Sequence, residues 1–223
     1  MKNKIILLTM LSALYANDIT LLQSIKDNIH LDKDWETIEQ FDNGVTVLTK
    51  DIPNIPIKAV KVAQNIDIDA EIIAEVIEDV PNYSKFLTSA SAMDANLLSK
   101  NGSGLFGHQH LDLKYVKDRH YAFNMFRPNG SSNRVDWELI PEDTFNNIEG
   151  SKQVNKKGVY IDIGFGSWLV EDLDNGETKI SYRLVMHPGG NVPNFAVDYI
   201  NKVAIVGLFE DAIKEALKRS NRN

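Results

Sequence analysis

The chain of 223 residues carries 24 lysines and arginines against 31 aspartates and glutamates, a net charge of -7. An acidic surface repels phosphate backbones and anionic headgroups, so neither nucleic-acid binding nor permanent residence on an anionic membrane is expected. The sequence has no cysteine, which excludes a disulfide framework, and its length fits one domain with a sizeable core.

The first 16 residues have the layout of a secretory signal peptide. Lys2 and Lys4 precede the apolar stretch from Ile5 to Tyr15, and Ala16 ends it. The stretch is shorter than the roughly 20 apolar residues of a transmembrane helix. We therefore expect cleavage after Ala16 and an exported protein, periplasmic or secreted. Retention as an uncleaved amphipathic tail is the alternative, because Leu14 is not the small residue preferred three positions before a cut.

The region up to residue 90 combines helices with a strand hairpin. Asp42, Asn43 and Gly44 form a turn sequence typical of hairpins between two strand patterns. The predicted elements are a helix from Asn17 to His30, strands over Trp35–Phe41, Val45–Asp51 and Ile57–Ile66, a helix from Asp69 to Val80 and a short helix over Asn82–Leu87.

Strand patterns separated by turn residues fill the region from Thr88 to His187, with turns near 101–104, 128–132 and 174–176. Tight turns join antiparallel neighbours, since parallel strands need long crossovers. A last helix is predicted from Pro193 to about Arg219. This order predicts an α+β fold with one bent antiparallel sheet whose inner face must be covered.

The C-terminal helix is predicted to be buried at its centre. From Val203 to Phe209 seven consecutive residues lack a polar side chain, whereas a surface helix shows a single apolar stripe. Gly207 lies inside this run, where glycine is unfavourable unless close packing compensates it. Two interpretations fit the pattern, a plain core helix and a lid over an apolar cavity.

Three predicted strands present one apolar face each. Because side chains alternate along a strand, the residues of one parity share a face. The three faces consist of Tyr121, Phe123 and Met125, of Val159, Ile161, Ile163 and Phe165, and of Ile180, Tyr182, Leu184 and Met186. Such faces fill any sheet core, so a packed core and a cavity wall both fit them.

The last third of the chain resembles the carboxyl half of START domains, the steroidogenic-acute-regulatory-related lipid-transfer family. The matching segments are Gly166–Val170 with its tryptophan, the hairpin Asp174–Lys179, the strand Ile180–Tyr182 and the stretch His187–Pro193. Looser matches upstream are Lys58–Val62, Asp79–Pro81 and Val116–Tyr121. The resemblance spans residues 17–223 as a single domain.

This resemblance implies a helix-grip fold, in which a bent antiparallel sheet wraps around the long C-terminal helix and encloses an apolar cavity. It implies a monomeric carrier of a lipid or other apolar molecule, without a cofactor, that contacts membranes transiently. The segment from Glu142 to Lys157 is expected beside the cavity mouth. The residues predicted to line the cavity are Tyr121, Phe123, Met125, Ile161, Ile163, Phe165, Tyr182, Leu184, Ala196, Ile200, Val203 and Gly207.

An enzyme of the polyketide cyclase or aromatase type is one alternative, because related helix-grip folds carry such activities. His108, His110 and Asp112 alternate along one strand face, a pattern compatible with a metal site. The opposite face carries Leu111 and Leu113, so we expect the histidines to face solvent. The sequence has no serine-hydrolase motif and no phosphate-binding glycine loop.

Neighbouring residues leave two further interpretations open. Asp118, Arg119 and His120 are compatible with an acid–base group or with a surface ion pair. The other alternative to a carrier is an exported module that binds another protein. A carrier predicts a cavity of roughly 300 to 1,000 Å³, whereas an interaction module predicts a filled core and an exposed apolar patch.

Overall fold

The computed structural model describes residues 21–90, 93–102, 104–112, 116–174, 176–187, 189 and 204–222. The predicted signal peptide lies outside these residues. So do the predicted helix start at Pro193 and three predicted cavity residues, Ala196, Ile200 and Val203.

Ten strands and five helices make up the described chain. The strands are β1 (Glu36–Gln40), β2 (Thr46–Lys50), β3 (Ala59–Asn65), β4 (Met93–Asn101), β5 (Gly104–Leu111), β6 (Arg119–Phe126), β7 (Arg134–Leu139), β8 (Val159–Tyr160), β9 (Gly164–Asp172) and β10 (Thr178–Met186). The helices are α1 (residues 21–29), α2 (Ala70–Glu78), α3 (Tyr83–Phe86), α4 (Glu142–Phe145) and α5 (Ile205–Ser220). Three 3-10 turns lie at Val80–Asn82, Thr88–Ala90 and Pro128–Gly130. The elements predicted between residues 35 and 87 are present, with ends shifted by one or two residues.

All ten strands belong to one sheet. Nine follow the order β1-β2-β3-β10-β9-β7-β6-β5-β4 with antiparallel pairing, and β8 pairs parallel with the start of β6. The hairpin between β1 and β2 turns at Gly44, whose φ of +84° is a conformation that glycine adopts without strain. Because β3 pairs with β10, the sheet joins the N-terminal hairpin to the last strand.

The inner face of the sheet is covered by α2, α3 and α5. The main hydrophobic core combines strand residues such as Val62 and Trp168 with Val76 of α2 and Phe209 of α5. Asp69 caps α2 by accepting a hydrogen bond from the backbone N–H of Glu71. None of the described helices is long and apolar enough to cross a membrane. The predicted α+β helix-grip architecture is confirmed.

The outer face near β9 and β10 is covered by α1 and the residues that follow it. Ile25 and Ile29 of α1 are fully buried and form a second core with Phe165 and Val185. Val185 of β10 therefore points to the outer face, whereas its neighbour Leu184 belongs to the main core on the inner face. Side chains alternate in this way along every strand.

Buried cations lie beside this second core. Arg183 is fully buried, and its Nη2 donates to Glu171 at 2.9 Å and lies 3.3 Å from a carboxylate oxygen of Asp32. The Nζ of Lys61 lies 4.8 Å from the ring centre of Trp35. Buried cations require such partners. Asp32 and Trp35, which lie between α1 and β1, supply partners for Arg183 and Lys61 on the outer face of the sheet.

Residues 142–157, here termed the covering loop, pack on the outer face of β5 and β6. Phe145 is fully buried and forms a third core with Ala122 and Ile140, against which Val154 also packs. The expectation that this segment lies beside the cavity mouth is therefore wrong. The loop covers the opposite side of the sheet because its apolar side chains bury there.

Three histidines lie buried beneath the covering loop. His108 stacks on Phe145 with ring centres 5.3 Å apart, and its Nε2 lies 3.4 Å from Nδ1 of His120. The Nε2 of His110 lies 3.4 Å from a carboxylate oxygen of Asp118. The expectation that His108 and His110 face solvent is wrong, because the loop covers this part of the outer face.

The other members of the predicted chemical groups are dispersed. Asp112 is exposed, and within the described ranges no three or more His, Cys, Asp or Glu side chains are arranged so that they could hold a metal ion. Arg119 donates to the backbone carbonyl of Gly189, whereas His120 faces Tyr160 with ring centres 5.1 Å apart. Arg119 and His120 therefore contact different parts of the structure.

The buried histidines should make the protein sensitive to acid. Burial, together with the nearby His120 and His110, lowers the pKa of His108 from 6.5 to about 4. Between these pH values the unfolded state binds a proton that the folded state does not, so the free energy of unfolding should fall as pH falls from 6.5 to 4. We expect His108→Gln to reduce this slope by up to about 1.4 kcal/mol per pH unit in denaturant titrations.

The control is His187→Gln, which alters a partly exposed histidine outside the loop. An identical pH dependence in wild type and His108→Gln would contradict the assignment of His108 as a buried neutral group.

Candidate ligand-binding cavity

A cavity lies between the inner face of the sheet and helices α2, α3 and α5. It has a volume of about 70 Å³. Its wall is formed by Ile77, Tyr83, Phe86, Leu87, Gln109, Tyr121, Phe123, Met125, Trp137, Trp168, Tyr182, Met186, Leu208 and Ala212. The wall is thus largely aromatic and aliphatic, which is the usual lining of a site for a small apolar molecule.

Strand alternation brings the wall residues together. Tyr121, Phe123 and Met125 occupy alternate positions of β6, and Gln109 of β5 lies directly opposite Tyr121. Trp137 of β7 pairs with Gly166, where an added Cβ would lie 2.4 Å from the indole ring. Glycine at this position therefore allows the indole of Trp137 to lie close to the backbone of β9.

An aromatic stack joins the sheet to α5. The ring centres of Trp168 and Tyr182, paired across β9 and β10, lie 4.4 Å apart with planes inclined by 12°. On the helix, Phe209 lies 5.6 Å from Trp168 with planes inclined by 2°. Contacts of this kind stabilise a pair by roughly 0.5–1.5 kcal/mol beyond the burial of area. They hold α5 over the cavity.

The polar atoms in the wall are neutral. The Tyr121 hydroxyl donates to Oε1 of Gln109 at 2.5 Å, and the Tyr83 hydroxyl donates to the backbone carbonyl of Ile77. Burial raises the pKa of Tyr83, Tyr121 and Tyr182, so these phenols stay protonated at physiological pH. The described part of the wall therefore carries no charge.

The cavity is smaller than a carrier predicts. Its volume of about 70 Å³ is well below the roughly 300 to 1,000 Å³ expected for a ligand pocket. The aromatic side chains of Trp168, Tyr182 and Phe209 fill much of the space between sheet and helix. A molecule with a long apolar chain fits only if these side chains or α5 move.

Four of the residues predicted to line the cavity do so, namely Tyr121, Phe123, Met125 and Tyr182. Ile161 and Leu184 are buried in the same main core but lie outside the cavity wall.

Ile163 and Phe165 were predicted on the wrong face. The expected strand from Val159 to Phe165 is interrupted at residues 161–163, so alternation does not continue across it. Ile161 belongs to the main core, whereas Ile163 and Phe165 pack with the second core under α1. The interruption shifts the alternation by one position, and Trp168 takes the inner face instead.

Gly207 faces neither the sheet nor the cavity. An added Cβ there would lie 2.6 Å from the Cβ of Ser89, in the turn Thr88–Ala90. The predicted close approach exists, but its partner is this turn. Glycine therefore lets α5 pack directly against the segment after α3.

Sequence reasoning did not assign several wall residues to the cavity, among them Gln109, Trp137 and Tyr83. Gln109 lies between His108 and His110, which were considered as metal ligands. Because side chains alternate along a strand, Gln109 points to the face opposite to that of the two histidines. The pairing of Gln109 with Tyr121 would have assigned Gln109 to the cavity wall. This pairing could not be predicted from the sequence, because strand register depends on tertiary structure.

No family model matches the chain. An uncharacterised protein of Pseudomonas aeruginosa is 22% identical over 166 residues, which are 74% of this chain and 78% of that protein.

Solved structures give closer agreement in shape than in sequence. The STAR-related lipid transfer protein of Xanthomonas axonopodis has a TM-score of 0.64 at 15% identity, covering 82% of this chain and 99% of that one. Human STARD10 has a TM-score of 0.62 at 13% identity, covering 90% and 81% of the two chains. Human StAR-related lipid transfer protein 5 has a TM-score of 0.61 at 12% identity, covering 94% and 99%. The chain therefore has the helix-grip fold of the STAR-related lipid transfer domains.

Proposed function

We propose that this protein binds a lipid or another apolar molecule between the sheet and α5, and carries it without altering it. The observation that carries the proposal is a neutral, largely apolar cavity at this place in the fold. The structures with the same fold include proteins described as lipid transfer proteins, which supports the same class of ligand here.

The chemistry of the wall supports binding without conversion. General acid–base catalysis at neutral pH needs a group whose pKa lies near 7. The titratable groups of the described wall are tyrosines, and burial raises their pKa values away from neutrality. The amide of Gln109 does not titrate. These groups favour holding a ligand over transferring its protons.

Access to the cavity is proposed between α3 and α5. Phe86 of α3 and Leu208 of α5 line the cavity and are only partly buried, so the wall between these helices reaches the surface. On this side α5 is held by Asp211, which accepts a hydrogen bond of 2.6 Å from the backbone N–H of Ser89. Opening here enlarges the cavity without breaking a strand pair.

A ligand in this cavity should quench the fluorescence of Trp137 and Trp168 when it carries bromine on its apolar chain. The third tryptophan, Trp35, lies on the outer face beside Lys61. We expect a brominated fatty alcohol to quench Trp35→Phe as strongly as wild type, and to leave the double variant Trp137→Phe/Trp168→Phe largely unquenched. Alcohol recovered after incubation should keep its original mass.

Thermal melting of each variant controls for loss of fold in this experiment. Strong quenching of the double variant, in which Trp35 is the remaining tryptophan, would place the ligand outside the cavity and contradict the proposal. A product of altered mass would assign the protein to the enzymes.

Tethering α5 to the turn Thr88–Ala90 that packs against it should slow ligand exchange. The Thr88 hydroxyl lies 3.3 Å from a carboxylate oxygen of Asp211, so cysteines at both positions are close enough to join. The natural chain has no cysteine, so oxidation of monomeric Thr88→Cys/Asp211→Cys can form no other disulfide within the chain. We expect the oxidised form to exchange brominated alcohol at least about tenfold more slowly than the reduced form, since opening gates access. Equal rates in both forms would place the entrance elsewhere.

We also propose that the protein is exported, on the basis of the charged and apolar pattern in its first 16 residues. The mature chain should begin at Asn17 and be recovered from the periplasm or the medium of the native host. Terminal sequencing of the purified protein measures this. A chain that still carries Met1 in the cytosolic fraction would contradict export.

A further inference from the structure

The side chain of Gln109 makes a single hydrogen bond in the described part of the cavity wall. The residue is 8% exposed, and its Oε1 accepts the hydrogen bond from the Tyr121 hydroxyl. Within the described residues this is the one hydrogen bond of its side chain, so the Nε2 group has no protein acceptor. An amide donor without a protein acceptor in an apolar wall is available to a ligand, and a ligand oxygen that accepts from it gains a hydrogen bond.

We propose that Gln109 recognises a ligand oxygen, and that the cavity takes an uncharged amphiphile with one ester, carbonyl or hydroxyl oxygen at the end of an apolar chain. This inference rests on the proposed function and defines its ligand class. The hydroxyl of Tyr121 fixes the amide of Gln109 from one side, and Gln109 lines the cavity.

The surroundings of Gln109 favour a neutral oxygen over a carboxylate or phosphate. The described wall contains no lysine, arginine or histidine, so an anion would lose its hydration without gaining a counter-charge. Arg119 begins the same strand as Tyr121, but its guanidinium donates to the backbone carbonyls of Lys117 and Gly189 and lies outside the cavity wall. Lys61 and Arg183 pair with Asp32 on the outer face of the sheet.

Three probes of matched length separate these chemistries: methyl dodecanoate, tetradecane and dodecanoate. Their affinities can be measured by displacement of a brominated alkane that quenches the cavity tryptophans. In the wild-type protein we expect methyl dodecanoate to bind about tenfold more tightly than tetradecane, because one hydrogen bond to a neutral acceptor is gained. Dodecanoate should bind more weakly than the ester.

Gln109→Met removes the donor while keeping the length of the side chain. We expect this variant to bind methyl dodecanoate and tetradecane equally. Gln109→Glu, measured at mildly alkaline pH, retains the acceptor for Tyr121 and should also lose the preference for the ester. The control is Gln153→Met in the exposed part of the covering loop, which should behave as wild type.

Retention of the ester preference in Gln109→Met would overturn the inference. Equal weakening of ester and alkane would also overturn it, because Gln109 would then act only on the shape of the cavity. Tightest binding of dodecanoate would overturn it in favour of recognition by a cation. Failure of all three probes and of the brominated alkane to bind would instead contradict the proposed function.

Discussion

The stacking of Trp168 on Tyr182 and Phe209 is the interaction on which the architecture of the cavity depends. Trp168 lies on β9 and Tyr182 on the adjacent β10, whereas Phe209 belongs to α5. The three rings therefore connect the inner face of the sheet to the helix that covers it. Each contact contributes about 1 kcal/mol beyond area burial. The burial of Phe209, Ile213 and Ala216 in the main core adds to this and keeps α5 against the sheet.

The sheet separates two chemically different environments. Its inner face meets α2, α3 and α5 through a continuous apolar core in which the polar atoms of the cavity are neutral. Its outer face carries charged and imidazole groups, including Arg183, Lys61 and His108, covered by the N-terminal segment and by the covering loop. Alternation along each strand makes this division automatic, since residues of opposite parity point to opposite faces.

The small volume of the cavity follows from the same packing. Protein interiors are close-packed, and the rings of Trp168, Tyr182 and Phe209 fill much of the space between the sheet and α5. The fold thus determines where the cavity lies and which side chains form its wall, and the packing of these rings limits its volume to about 70 Å³. Local opening is drawn from regions held by few buried contacts, and the turn Thr88–Ala90 beside α5 is largely exposed.

The sequence by itself determined the local elements and the chemistry of the main strands. Asp42, Asn43 and Gly44 specified the first hairpin, and the apolar alternation of β6 and β10 placed Tyr121 and Tyr182 on the inner face. These predictions succeed because turn conformation and strand parity are properties of neighbouring residues. The START resemblance predicted how the elements assemble.

Only the tertiary structure decided which face of each strand and helix is buried, and which other element it packs against. The break at residues 161–163 moved Phe165 to the outer face, and the covering loop enclosed His108 and His110 that parity alone assigned to solvent. Gln109 entered the cavity wall through its pairing with Tyr121, twelve residues away in sequence. Strand register, loop placement and helix docking depend on contacts between residues distant along the chain, and local periodicity contains no information about them.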